Sequence, residues 1–291
     1  MAYPYSKVIS TLEEANRHKF TTYELEYPND KEDFLAYILP VLKEEYGITG
    51  KEIELKMSNL SDEKSKNIQN FLKKYNTANP GKKAPPKSPW LKNTRSKLPE
   101  IIARDILRRI EGVTFPCRYS LEEDDPDMPK RGVDGLGFVF EESENGINLK
   151  YIVSTEVKAS EDKASPPSSV HTASDSMFLS LKSLADFDER LKKSLASAID
   201  VMPQGEFIAL VFSIVNTLEE KDTEAIEELK KKMIVVPFLL RKREFWTEAD
   251  YGKFKTHHTD FSSAIIRYYI LTLGYSLGDF ADEIYEKLRA D

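Results

Sequence analysis

The sequence predicts an α/β protein in which helices flank a mixed β-sheet, and three observations carry that prediction. Beyond residue 96, helix-period and strand-like segments alternate in the order helix, three strands, helix, strand, helix, strand. Two of the strands are joined through Asn145-Gly146, the dipeptide that favours a tight hairpin. Hydrophobic residues make up 40% and charged residues 31% of the 291, an ordinary globular balance. That length accommodates one large domain, or a core with a smaller companion.

Composition excludes several classes. No run approaches the roughly 18 apolar residues needed to span a bilayer, and the first residues, Met1 to Lys7, lack a basic region followed by an apolar stretch. Cys117 is the sole cysteine, which rules out an internal disulfide and argues against a thiolate zinc cluster. A cytoplasmic protein with no membrane contact is expected. The net charge of −7 argues against broad attraction to nucleic acid. The strip Lys82, Lys83, Lys87, Lys92, Arg95 is locally basic, and reads either as a phosphate-engaging patch or as a solvated linker.

Along the first eighty residues, Asp33 to Tyr46 carries apolar residues at helical intervals, with Pro40 implying a break or kink. Lys51 to Met57 alternates like a strand, and Asp62 to Tyr75 reads as an amphipathic helix. Asn79 to Pro89 is rich in proline and lysine and reads as a linker. Leu98, Ile101, Ile102, Ile106 and Ile110 then form one helix face, with Pro99 in the first turn and Gly112 ending the helix. Strands are expected at 113–119, 132–140 and 147–157, a helix at 187–199, a strand at 207–215, a helix at 218–233 and a strand at 234–240. A C-terminal helix is expected over 279–288.

The chemistry-bearing residues lie on the expected hairpin. Residues two apart on a strand share a face, so Glu156 and Lys158 project together while Val157 enters the other side. Neighbouring strands lie about 4.8 Å apart, and a register that sets Asp134 beside Glu156 brings two carboxylates and an ammonium to one sheet edge. A one-residue slip would turn Asp134 away. Paired carboxylates repel and favour a hard divalent cation, Mg²⁺ or Mn²⁺, between them. Such an ion serves phosphodiester hydrolysis, with Lys158 placed to act on the attacking water. Gly132, Gly135 and Gly137 would admit a phosphate backbone close to the strand. Other Glu-x-Lys triplets, at 54–56, 161–163, 219–221 and 228–230, lack an Asp-bearing hairpin partner. A surface salt bridge between hairpin strands is the bland alternative.

Helix, strand, Asp-bearing strand and hydrophobic strand ending Glu-x-Lys resembles the PD-(D/E)xK nuclease superfamily over about residues 96 to 240, with Val133 where that family often has proline. The resemblance implies a restriction-endonuclease-like core with an additional N-terminal α+β segment. It also implies metal ligation by Asp134, Glu156 and the Val157 backbone carbonyl, with Lys158 assisting the nucleophile. Some members add an acid from the first core helix; Glu100 is that position, the alternative being a solvated helix carboxylate. The layout is also similar to bacterial anti-phage nucleases, including the Hachiman-type nuclease subunit, which works with a helicase. The organisation expected is 1–80 as an accessory, partner-binding region, 81–95 as the linker and 96–291 as the nuclease core with a C-terminal helical extension. The substrate expected is DNA, with a helicase or other defence subunit as partner. A non-catalytic interaction module that retains the fold is the rival, and the intact Asp134, Glu156 and Lys158 count against it.

Remaining candidates divide between site and scaffold. His171 follows a polar loop and reads as a surface histidine or a substrate contact. His257-His258 beside Asp260 reads as an exposed loop, since no further histidine stands at ligand spacing. Lys182, Arg190, Lys192 and Lys193 could touch phosphates or simply solvate a helix. Trp246 and Tyr268-Tyr269 read as core or interface, and Cys117 has no activating neighbour in sequence.

Overall fold

The chain enters through β1 (Lys7–Glu14) and β2 (His18–Leu25), an antiparallel pair rich in β-branched and aromatic residues. The computed structural model describes residues 4–5, 7–14, 17–76, 89–122, 133–144, 146–171, 176–202, 205–261 and 263–290. Helix α1 (Lys31–Glu45) buries Phe34, Leu35, Ile38, Leu39 and Leu42, as their spacing requires. Pro40 does not break it: this residue and Ala36, whose carbonyl loses its partner, both lie on the exposed face, where water can substitute. The segment expected as a strand is instead α2 (Lys51–Met57). Its Glu, Lys, Leu and Met residues are good helix formers, and that propensity outweighed the short alternation. The amphipathic α3 (Asp62–Asn76) follows. The Pro-rich stretch 79–88 lies outside the described residues.

Helix α4 (Pro89–Ile110) starts earlier than its apolar pattern suggested, with Pro89 taking the first helical position and Pro99 falling inside the helix. From Lys97 to Leu107 every residue is buried, polar ones included, because α4 packs between the sheet and both α1 and the C-terminal helix. Gly112, at φ +67°, closes it in a left-handed turn where the Val113 N–H reaches the Leu107 carbonyl. The expected strand at 113–119 reduces to a single bridge, Thr114 to Phe138, because Tyr119 already begins a 3₁₀ turn.

The hairpin forms as β3 (Gly135–Ser143) and β4 (Gly146–Ser160), with Gly146 at φ +113° in the turn. Then come α5 (Ser168–His171), α6 (Met177–Ala185), α7 (Glu189–Val201), α8 (Glu206–Glu220) and α9 (Thr223–Lys231). The expected strand at 207–215 is thus helical. Phe207, Ile208, Val211, Ile214, Val215 and Leu218 follow a three-and-four spacing that runs past the apolar stretch, and this periodicity prevailed over β propensity. Strand β5 (Met233–Lys242), helix α10 (Gly252–Thr256), strand β6 (Ile265–Leu273) and helix α11 (Leu277–Ala290) complete the chain.

The six strands form one mixed sheet in the order β1-β2-β6-β5-β4-β3. Its centre, β2-β6-β5-β4, is parallel, and both outer pairs are antiparallel. Accordingly β5 is buried over nearly its whole length, as a strand covered on both faces must be. One face carries α1, α4 and α11 over a core that includes Ile38, Ile101, Phe238 and Phe280. The other carries α6, α7 and α8 over Leu181, Leu191, Val211 and Leu239. β1, β2 and α1 therefore share the sheet and the core of the later strands.

Candidate functional site

The hairpin register decides what the acidic residues can do. Gly135 pairs with Thr155 in the antiparallel ladder, so the next residue outward, Asp134, stands opposite Glu156 at the C-terminal end of β4. Side chains opposite each other across such a pair share a face. Lys158 completes the group, its Nζ 3.0 Å from Glu156 Oε1. Glu156 is only 8% exposed, and its other oxygen, Oε2, accepts from the Ser180 hydroxyl of α6 at 3.0 Å.

Asp134 Oδ2 accepts the backbone N–H of Val157 at 2.6 Å. Burial pushes the Asp134 carboxyl well above the ordinary carboxylate range, and the charges of Glu100 and Glu156 push it the same way. The Val157 N–H bond and the Lys158 charge oppose these effects. Glu100 comes from α4 and is buried, not solvated: it is 8% exposed, and Oε2 accepts from the Tyr119 hydroxyl at 2.7 Å. The structure therefore brings Asp134, Glu156 and Lys158 together and sets Glu100 near enough to act on Asp134 through its charge.

The expected use of the glycines needs correction. A Cβ on Gly135 would lie 2.5 Å from Thr155 Cγ2, and one on Gly137 would lie 2.4 Å from Val113 Cγ1. Both positions are filled by the protein itself, so these glycines permit internal packing instead of phosphate approach. Gly132 lies outside the described residues.

Among the other candidates, Arg190 is linked to the acidic group through Ser180. Lys182 pairs with Asp260 at 3.5 Å, and Lys192 with Glu189 at 2.7 Å. Lys193 is exposed, whereas Arg190 turns onto Ser180 and Asp188. His171 is half-buried on α5 and lines a cavity of about 440 Å³ with Pro166, Glu248, Gly252 and Lys253. Its pKa is lowered by burial and by Lys253. His257 and His258 bond locally to Thr256 and to the Lys255 carbonyl. Tyr268 and Tyr269 are core residues, and Trp246 packs against the second core. Cys117 is half-buried, and its carbonyl accepts from Arg104 at 2.5 Å. Among the basic strip, Lys92 and Arg95 fall within α4, while Lys82, Lys83 and Lys87 lie outside the described residues. Ser180 and Tyr119 were not recognised from the sequence. A lone serine or tyrosine carries no spacing signal, and both reach the site only through tertiary packing.

Among the described residues no helix is long and apolar enough to cross a membrane, and no three His, Cys, Asp or Glu side chains are grouped to hold a metal. No curated protein and no solved structure matches the chain. A family model described as HamA matches residues 4–288, from before β1 into α11. With nearly its whole length matched, the chain belongs to the HamA family, a family of Hachiman-type anti-phage defence proteins.

Proposed function

We propose that the chain is a metal-dependent nuclease that hydrolyses DNA phosphodiester bonds, acting as an endonuclease of its defence system. One observation carries this reading: the register that sets Asp134 opposite Glu156, with Lys158 3.0 Å from the latter. A surface salt bridge alone would need neither a buried Glu156 nor a second carboxylate whose ionisation its neighbours disfavour.

The donor set fits a hard divalent cation. Asp134 and Glu156 offer carboxylate oxygens; burial first, then the charges of Glu100 and Glu156, raises the Asp134 pKa, and a bound cation would offset both effects. The N–H and C=O of one residue on an extended strand point the same way. The Val157 carbonyl accordingly faces the side on which its amide meets Asp134. Mg²⁺ commonly takes only one or two protein carboxylates and keeps several waters, so two side chains and a carbonyl suffice. Once held there, Mg²⁺ or Mn²⁺ would neutralise charge on the phosphate and make the attacking water more acidic.

The chain's own residues would do the rest. The Lys158 ammonium can donate to a scissile phosphate oxygen and orient the water, and Glu156 holds it at that edge. Asp134 accepts from the amide between Glu156 and Lys158, which anchors that stretch of β4 to the start of β3. The net charge of −7 disfavours independent capture of DNA. Delivery of the substrate by a partner subunit, such as a helicase, accords with membership of a defence system, and the proposed site of action is the cytoplasm.

The test is cleavage of supercoiled plasmid, linear duplex and single-stranded DNA with Mg²⁺ or Mn²⁺, with and without the partner subunit. Metal-dependent cutting by the wild type that is lost in Glu156→Ala supports the reading. Cutting that survives Glu156→Ala, or its absence even with the partner subunit, overturns it.

A further inference from the structure

We infer that Ser180 is a positioning residue for Glu156, and that Arg190 commits its hydroxyl to that task. The inference rests on the nuclease reading above and adds what sets the geometry of the site. Ser180 lies on α6, contacts the Glu156 oxygen that Lys158 does not, and is 9% exposed. Its Oγ is 3.0 Å from Glu156 Oε2 and 3.0 Å from Arg190 Nη1. A guanidinium can only donate, so Oγ accepts from Arg190 and its own hydrogen goes to the carboxylate. Arg190 is itself held in place: Nη2 donates to the Ser180 carbonyl at 2.8 Å and Nε to Asp188 at 3.1 Å. Asp188 in turn caps α7, accepting from the Arg190 and Leu191 amides.

The two oxygens of Glu156 thereby receive different duties. Oε2 is fixed by the serine, and Oε1 meets Lys158, whose side chain is 27% exposed. With its carboxylate plane held, Glu156 presents one oxygen to a cation without losing side-chain freedom on binding. Outer hydrogen-bond partners of metal-binding carboxylates act in this way, and their removal typically weakens metal affinity about 10–100-fold.

The experiment is calorimetric titration of Mn²⁺ into the full chain, comparing wild type with Ser180→Ala, Ser180→Thr and Arg190→Gln. Thermal midpoints without metal verify that each variant is folded. Mn²⁺ affinity should fall about 10–100-fold in Ser180→Ala, fall in Arg190→Gln, and recover in Ser180→Thr. Should Ser180→Ala not fold, Arg190→Gln decides alone, since that side chain is 42% exposed. Wild-type affinity in the folded Ser180→Ala and Arg190→Gln variants would overturn the inference and leave the nuclease reading standing. A wild-type chain that takes up no Mn²⁺ would overturn both.

Discussion

Asp134 grips the backbone of Val157: its Oδ2 accepts the Val157 amide at 2.6 Å, just where β3 has not yet begun. The residue between Glu156 and Lys158 is thus tied to the neighbouring segment by a carboxyl side chain, where a backbone ladder would ordinarily do the work. The same carboxylate faces Glu156 and the charge of Glu100. Its structural bond and its electrostatic discomfort arise from one position, and separate variants can distinguish them.

Asp134→Asn keeps an acceptor for the Val157 amide and removes the charge that its surroundings disfavour. The folded-state pKa is raised above the ordinary 3.8, so the metal-free folded protein binds this proton more tightly than the unfolded chain. That contribution is fully favourable below the unfolded value and declines as pH rises to the raised folded value. Above it, the ionised carboxylate remains as a constant penalty. Metal-free wild type should therefore lose stability relative to Asp134→Asn between acid and neutral pH, as read by denaturant midpoints. Added Mg²⁺ should raise the wild-type midpoint and leave the variant's unchanged.

Lys158→Met separates chemistry from cation uptake. Cutting should fall about 10²–10⁴-fold, the usual contribution of a positioned proton-transfer or water-orienting group. The metal-induced thermal shift should persist, because the ammonium next to Glu156 Oε1 competes with a cation instead of recruiting it. In Glu156→Gln both signals should disappear. A Lys158→Met protein that cuts normally would remove this residue from the reaction.

Gly137→Ala tests whether the glycines serve packing. Its Cβ would fall 2.4 Å from Val113 Cγ1 and 3.2 Å from the Thr114 carbonyl, so a neighbour or the Thr114–Phe138 bridge must shift. Overpacking of this kind costs about 1–3 kcal/mol, measurable as a lowered urea midpoint. An unchanged midpoint would show that the space is slack and return the glycine to the ligand-access explanation.

Asp250→Ala tests the clamp behind β4. Arg241 and Asp250 are fully buried and 3.0 Å apart, and Arg241 also donates to the carbonyls of Ser160, Ala164 and Phe245. Removing one partner leaves a buried guanidinium uncompensated, at a cost of about 3–5 kcal/mol. Because the Ser160 and Ala164 carbonyls lie at the end of β4 and in the loop that leaves it, faster amide exchange over residues 160–165 should accompany the lowered midpoint.

Much of this protein was legible in the order of its residues. The Asn145-Gly146 turn and the strand pattern on either side gave the hairpin, and hairpin geometry alone puts Glu156 and Lys158 on one face. Helix α1, α3, most of α4, β5 and α11 followed from apolar spacing, which local periodicity encodes directly. Tertiary structure decided the rest. β2 finds its parallel partner β6 at the other end of the chain, a pairing no local pattern specifies. Lys51–Met57 is the exception, decided locally: seven residues of alternation carry less than the helix propensity of Glu, Lys, Leu and Met. Glu100 reads as a solvated carboxylate on a helical wheel, and it is buried because α4 is enclosed between the sheet and two further helices. Ser180 and Tyr119 have no sequence signature at all, and Arg190, read as a phosphate contact or a solvated helix residue, turns instead onto Ser180, since a hydrogen bond depends on ångström-scale placement of groups far apart in the chain. The sequence by itself determined which residues could carry the chemistry; the packing of α4 and α6 on opposite faces of β4 decided which charges they feel and what holds them still.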